Sequence, residues 1–470
     1  MRATNLTGFG PLQSVLSWCR ALAIAVAAVL SVPVAAQDRA PVAVQAPPAQ
    51  SSSQPAGPQL EARLQANGPV ELYGFYATRN YQSLWFGPDG SLSPAARGLL
   101  QLVETAELDS IDPASLNPGR LAVAIQAAEA AGSPAALADA EVLLSSALVD
   151  YERALLSNAD RQMTYEHEVL RPYLLTGHTI LEQAAAAPSL QDYISGMQWM
   201  HPLYAPLRGA LAAGNLGPAE RDVLIGNLDR VRGIPRARGA RHVIVDAASA
   251  RLWMYEGDRV VDSMKVVVGT AETPTPIMAG YIRTAVFNPY WNVPTELLRR
   301  NIAPRARNQG VGYLRRGGYQ VVSAWSPDAE VLDPSGINWR AVERGELDVI
   351  VRQLPSPYSA MGKMKFELPN PQGIYLHDTP DKDLMLKDAR QFSNGCIRLE
   401  DAARFGRWLL GSLPSLPEAP EQRVDLDEPV PIYITYLTMH VDGGQVAVGP
   451  DPYGLYAGQA EVTTVAARVE

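Results

Sequence analysis

Ile374-Tyr375-Leu376-His377-Asp378-Thr379-Pro380, followed by Ser393-Asn394-Gly395-Cys396-Ile397-Arg398, is the stretch on which the reading of this chain turns. A short apolar run of strand type delivers His377, and 19 positions later a Gly-Cys turn delivers a thiol. A thiol at its ordinary pKa is mostly protonated at neutral pH and needs a base or a positive neighbour to become a nucleophile. Histidine is the side chain best matched to that task. Gly395 lets the backbone turn sharply and aim N–H groups at a developing oxyanion. Arg398 lies two residues beyond Cys396, on the same side of an extended segment, where it is placed to pair with a substrate carboxylate. A surface or capping arginine would look the same in sequence. A lone histidine is more often structural, and the case for His377 rests on its pairing with Cys396.

Outward from this stretch, cysteine usage sharpens the reading. Cys19 lies upstream of an apolar run, Ala21 to Val34, that follows Arg20 and ends in Val34-Ala35-Ala36. This is the pattern of a secretory signal over residues 1–36, with cleavage expected after Ala36 and an uncleaved anchor as the alternative. Cleavage removes Arg2, Arg20 and Cys19, leaving 38 basic and 49 acidic residues, net −11, and Cys396 as the single thiol. An unpaired thiol in an oxidising compartment is a liability unless it reacts; a buried inert cysteine is the duller reading. The acidic balance argues against a nucleic-acid binder, which needs a basic face. The other histidines (167, 178, 201, 242, 440) show no metal-ligand spacing. No phosphate loop, dinucleotide glycine motif or Gly-x-Ser-x-Gly elbow occurs. Neither a metal nor an organic cofactor is expected. Asp378, Asp381, Asp383 and Asp388 read as solvated loop charges.

The 470 residues, 47% hydrophobic and 19% charged, suggest two or three domains. Residues 37–58 are Ala, Pro, Gln and Ser with few large apolar groups, and read as a flexible linker. Residues 59–236 carry apolar positions at helical spacing in an Ala-rich background, as in Leu137, Val142-Leu143-Leu144, Leu148 and Tyr151. From residue 239 to 456 the texture turns to β type, with His242-Val243-Ile244-Val245, Arg251 to Tyr255, Val266-Val267-Val268 and Ile432 to Tyr436. Within it, residues 297–354 are rich in arginine and glycine with little strand pattern, and look like a lid or insertion. Residues 457–470 form a tail. The fold class is therefore α+β: an N-terminal all-α domain and a β-rich domain with a lid-like insertion.

Ser393-Asn394-Gly395-Cys396-Ile397-Arg398 resembles the signature of the YkuD-type L,D-transpeptidases, in which a histidine is followed at some distance by Ser/Thr-His-Gly-Cys-apolar-Asn/Arg. The wider context is similar to the large periplasmic, YcbB-like branch of that family. The stretches that carry this likeness are Asn288 to Pro294, Ala360 to Phe366, Val267-Val268-Gly269 with Thr275-Pro276, and the Tyr-Leu-His-Asp-Thr-Pro run. They lie between about residues 241 and 456. The helical region resembles the branch's scaffold domain more faintly, through Tyr76 to Trp85 and Leu108 to Leu116. Asn394 stands where the family often has histidine, and the helical region shows no glycan-binding insert.

The resemblance implies a periplasmic enzyme that forms 3→3 cross-links in peptidoglycan through a thioester on Cys396, with His377 as base and release of D-Ala from tetrapeptide stems. It implies that the N–H groups of Gly395 and Cys396 hold the oxyanion and that Arg398 and Ser393 orient the donor. Asn394, Tyr375 and Trp291 would line the groove, although packing explains Trp291 equally well. The implied partners are donor and acceptor stems, other wall-synthesis enzymes, and carbapenem-type β-lactams as covalent inhibitors. Two alternatives stay open: a carboxypeptidase or wall-protein amidase using the same Cys and His, and a non-catalytic wall-binding scaffold with an inert cysteine.

Overall fold

The computed structural model describes residues 57–157, 163–236, 240–415, 419–442 and 445–456. The expected signal peptide, most of the linker and the tail lie outside these residues. Gly57 and Pro58, assigned above to the linker, open the first helix, Gly57–Asn67. No described helix is long and apolar enough to cross a membrane.

The N-terminal half is helical, as its spacing requires. Its centre is the 24-residue helix Pro134–Ser157, which buries Leu137, Leu144, Leu148, Tyr151 and Leu155 at intervals of three, four and seven. Two buried carboxylates tie the surrounding segments to this helix. Glu141 accepts hydrogen bonds from the Tyr76 hydroxyl at 2.7 Å and the Leu84 N–H at 2.5 Å, and is also bonded by Ser83. Asp109 accepts from the Tyr151 and Tyr204 hydroxyls at 2.6 and 2.8 Å and from Arg208 Nε at 2.8 Å. A buried carboxylate is tolerated only with such partners, so the pair fixes where the 3₁₀ turn Ala106–Asp109 and the helix Tyr204–Ala212 sit.

The strands run in the order β1 (Thr164–Tyr165), β2 (Arg241–Asp246), β3 (Arg251–Glu256), β4 (Arg259–Gly269), β5 (Met278–Phe287), β6 (Trp291–Asn292), β7 (Tyr319–Val322), β8 (Val331–Leu332), β9 (Ile350–Gln353), β10 (Met364–Glu367), β11 (Tyr375–His377), β12 (Gln391–Ser393), β13 (Ile397–Leu399), β14 (Gln422–Thr435), β15 (Met439–Asp442) and β16 (Gln445–Val448). The main sheet is ordered β1-β5-β10-β11-β13-β4-β3-β2-β14, and β14 also pairs with β5, so the sheet closes on itself. Closure leaves the inner strands without free edges. The 14-residue β14 makes it possible. A register shift between Asp425 and Val430, next to Pro429, bends this strand while it pairs antiparallel with β5 and parallel with β2.

The two halves share one core. The β1 strand, from the helical half, adds in parallel to β5 at Met278 and Ala279. Asn227 Oδ1 accepts the N–H of Met439 at 3.2 Å. At the same junction His201 and His242, both buried, meet Nε2 to Nε2 at 3.2 Å, with Tyr255 stacked on His242 at 4.6 Å.

The insertion differs from its sequence reading. Instead of little strand structure it holds a four-stranded sheet, β6-β9-β7-β8, packed on short helices around Leu298, Ile302, Ala306, Leu314, Trp339 and Val351. Its first strand is at Trp291, ahead of the boundary expected at 297. Strands of two to four residues, broken by Gly317, Gly318 and polar positions such as Gln320 and Arg352, are too short for period-two alternation to show.

Candidate active site

Three neighbouring strands build the site through their register. On β11, Leu376 points into the core, so Tyr375 and His377 occupy the opposite face. Antiparallel β10 sets Lys365 beside His377 and Glu367 beside Tyr375. Parallel β13 sets Ile397 beside Leu376 and Arg398 beside His377, which carries Cys396, one step earlier, to the level of Tyr375. Lys365, Tyr375, His377, Cys396 and Arg398 therefore share one face. Cys396, immediately before β13, thus lies one rung from His377 on the neighbouring β11.

The turn before Cys396 is braced from three sides. Gly395 has φ +108°, a region L side chains rarely adopt, and a Cβ there would meet Ile374 Cδ1 at 3.2 Å. The Ser393 hydroxyl donates to the Cys396 carbonyl at 2.6 Å and accepts the Gly395 N–H at 3.2 Å. The Thr275 hydroxyl donates to the Gly395 carbonyl at 2.8 Å and accepts the Gly269 N–H at 2.9 Å. The Gly395 N–H, expected to face an oxyanion, is thus bonded to the Ser393 hydroxyl, and Ser393, expected to orient a donor, is buried and braces the turn through both bonds.

His377 is 6% exposed, and its Nδ1 donates to the Asp378 carbonyl at 2.6 Å, so Nε2 carries the free lone pair. Burial, reinforced by the nearby Arg398 charge, holds the imidazole down at about 3. It is therefore neutral at physiological pH. Burial also pushes the Cys396 thiol up, while the Tyr375 N–H and phenol and the charges of Arg398 and Lys365 pull the other way. The thiol donates to the Gly373 carbonyl at 3.8 Å. At physiological pH the Cys396 thiol and the His377 imidazole are thus both uncharged. Tyr375, whose phenol is held protonated by burial and by Cys396, is a ready hydrogen-bond donor.

A cavity of about 490 Å³ opens over Cys396. Its floor is Lys365, Gly373, Tyr375, Asn394 and Cys396, and its far wall is Asn292, Pro294, Glu296, Leu297 and Arg300 from the insertion. Tyr375 and Asn394, expected from sequence to line a groove, are both part of this floor. Trp291 is not: its ring packs on Tyr319 at 6.4 Å within the insertion's own core, and its neighbours Tyr290 and Asn292 face the cavity instead. Arg398 flanks His377 and faces Asp381 at 3.8 Å rather than lining this cavity. Asp378 is no solvated loop charge. Its carboxylate holds Lys382 at 2.7 Å and the Lys363 N–H at 2.9 Å, and its carbonyl orients the imidazole. Thr275, Lys365, Gly373 and Arg300 were missed. Of these, Thr275 and Lys365 stood in stretches that already looked informative. A larger hollow of about 950 Å³ beside Asp378, between Lys382 and the start of the helix Ala402–Leu410, contains neither Cys396 nor His377. Among the described residues no group of three His, Cys, Asp or Glu is placed to hold a metal ion.

Parts of the chain are similar to known proteins. Residues 240–432 match the model of the L,D-transpeptidase catalytic domain, YkuD, and residues 70–211 match that of a scaffold domain. A Haemophilus influenzae protein, whose name gives it provisionally as an L,D-transpeptidase, is 26% identical over 409 residues, covering 82% of this chain and 77% of its own length. Among solved structures, an L,D-transpeptidase from Mycobacterium smegmatis is 12% identical, with TM-score 0.22, over 42% of this chain and 58% of that one. L,D-transpeptidase 3 from Mycobacterium tuberculosis, in complex with a faropenem-derived adduct, is 13% identical, with TM-score 0.21, over 42% of this chain and 60% of that one. The matched region is less than two thirds of either mycobacterial chain.

Proposed function

The chain carries a YkuD-type L,D-transpeptidase catalytic domain behind a scaffold domain, and from that premise we propose that it cross-links peptidoglycan stems with Cys396 as nucleophile and His377 as base. The observation that carries the proposal is the register of β11 and β13, which sets Cys396, in the floor of a cavity of peptide size, one rung from His377.

The chemistry follows from the two neutral groups. Cys396 Sγ attacks the carbonyl carbon of the third residue of a tetrapeptide stem as His377 Nε2 takes the thiol proton. The Cys396 N–H and the Tyr375 phenol stabilise the oxyanion; removing one such donor typically costs about 10²–10³ in rate. As the intermediate collapses, the C–N bond to D-Ala breaks and His377 returns its proton to the departing nitrogen. A thioester on Cys396 remains. An amine of a second stem then attacks it, His377 takes the amine's proton, and the thiolate leaves and is reprotonated, giving a 3→3 link. The insertion wall over the cavity keeps water from the thioester. The apolar segment Ala21–Val34 and the small residues after it support export to the periplasm, where such stems lie.

Purified residues 37–470 and a Cys396→Ala twin, incubated with disaccharide-tetrapeptides and followed by mass spectrometry, test this reading. Dimers lacking one D-Ala, made by the wild type alone, support it. Tripeptide monomers alone would move the assignment to a carboxypeptidase, and an unchanged donor to a wall-binding protein.

A further inference from the structure

The cavity over Cys396 contains three charged residues from two sources. Lys365, from the β10 strand, is held by Glu367 at 2.7 Å and lies 5.6 Å from the centre of the Tyr375 ring. Glu296, from the insertion, is highly exposed and turned toward Arg299 at 3.6 Å. Arg300 is the third, and it has no ion pair or hydrogen bond among the described residues.

The backbone explains how Arg300 comes to face the cavity. The segment Leu298–Ile302 is a π-helical turn between the helical turn Thr295–Leu297 and the helix Ala303–Gln309. Such single turns widen a helix by one residue and shift the side chains that follow. Here Leu298 and Ile302 enter the insertion's core, Arg299 bonds Asp348 at 2.9 Å, and Arg300 joins Glu296 and Leu297 in the cavity wall. The helix therefore buries its apolar pair, pairs one arginine, and leaves the next one unpartnered above the nucleophile.

We propose that Arg300 is a specificity residue that takes a carboxylate of the donor stem while Cys396 attacks. This rests on the transpeptidase reading and names what its cavity recognises. A guanidinium presents a planar fork that matches a carboxylate in two parallel hydrogen bonds. A tetrapeptide donor offers two such groups near its scissile bond. One is the C-terminal carboxylate of the leaving D-Ala; the other is the side-chain carboxylate of a diamino-dicarboxylic third residue. Arg398, the arginine that the sequence suggested for this task, faces Asp381 and His377 instead.

The test is equilibrium binding by calorimetry on the full mature chain carrying Cys396→Ala, which cannot turn over. Three ligands are used: the tetrapeptide, its C-terminal D-alaninamide, and the tetrapeptide amidated on the third side chain. Adding Arg300→Ala should weaken binding of the tetrapeptide roughly tenfold or more, as expected for a charge-assisted pair. Arg300→Lys should recover only part, because an ammonium lacks the fork. On one of the two amides, the one whose carboxylate Arg300 reads, the Arg300→Ala loss should vanish. Unchanged binding in Arg300→Ala, a loss that persists on both amides, or no measurable binding by the Cys396→Ala parent would each overturn the proposal. Turnover by the unmodified enzyme is run alongside. If it makes no product, the transpeptidase reading itself falls; if product forms and Arg300→Ala binds unchanged, only the role of Arg300 falls.

Discussion

Replacing His242 with phenylalanine should reverse the order of stability between variant and wild type as the pH falls. His201 Nδ1 accepts the Leu203 N–H at 3.3 Å, so the His201 proton sits on Nε2 and is donated to His242 Nε2 at 3.2 Å. This arrangement requires both rings to be neutral. Burial holds His201 at about 3, helped by the charge it would meet on His242, and burial holds His242 at about 4. The ordinary value is 6.5, so the unfolded chain takes up these protons first. Stability is complete above pH 6.5 and is lost as pH falls toward the folded values. One proton is worth about 1.4 kcal/mol per pH unit, so His242 alone withdraws roughly 3 kcal/mol by pH 4. The pair together withdraws roughly 5 kcal/mol by pH 4.5, comparable to the whole stability of many domains. His242→Phe keeps a ring on Tyr255 but leaves the His201 N–H without its acceptor, costing about 1–3 kcal/mol at pH 7.5. Urea unfolding at pH 7.5, 6.5, 5.5 and 4.5 reads the outcome. The wild type's advantage should shrink by about 1.4 kcal/mol per unit below pH 6 and vanish or invert by pH 4.5. A constant difference across the series would refute the neutral-pair account.

Three further outcomes follow from the same structure. Iodoacetamide should modify Cys396 ever faster as pH rises through and beyond the ordinary thiol range, with no plateau at acidic pH, because burial holds the thiol up and His377 stays neutral; a plateau already reached at pH 6 would indicate a thiolate–imidazolium pair instead. Gly395→Ala, at φ +108° and 3.2 Å from Ile374, should cost about 1–3 kcal/mol of local strain, lowering the melting temperature by roughly a few degrees, and slow carbapenem acylation of Cys396 more than tenfold, measurable by intact mass against time on the still-folded protein. Asp109→Asn should destabilise the helical half by about 3–5 kcal/mol in denaturant titration, because it strands the buried Arg208 guanidinium.

The proposed nucleophile, Cys396, and its proposed base, His377, could be singled out in the sequence because such chemistry demands rare residue types at fixed places: one thiol, one nearby histidine, one glycine turn. The α+β division was legible because helical spacing and β-type runs occupy separate halves. The roles around the nucleophile were less so, since they depend on which hydrogen bonds are already taken. Gly395 was recognised as the turn, yet its N–H is used internally by Ser393. Arg398 sits two residues from Cys396 in sequence, but register turns it to His377 and Asp381; Arg300, 96 positions away, is what the fold brings over the cavity. Short strands escaped for the same reason. Thr164–Tyr165 joins the main sheet only because β5 is there to receive it, and two residues carry no periodicity.

The central claim, that Cys396 carries the acyl group, is tested most directly by quenching the wild-type enzyme in acid seconds after it meets tetrapeptide donor without acceptor, and weighing the intact protein. The account predicts an adduct equal to the donor less one alanine, mapped to the peptide containing Cys396 and absent from Cys396→Ala. Donor consumption with no adduct on Cys396, or an equal adduct on the Cys396→Ala protein, would contradict it.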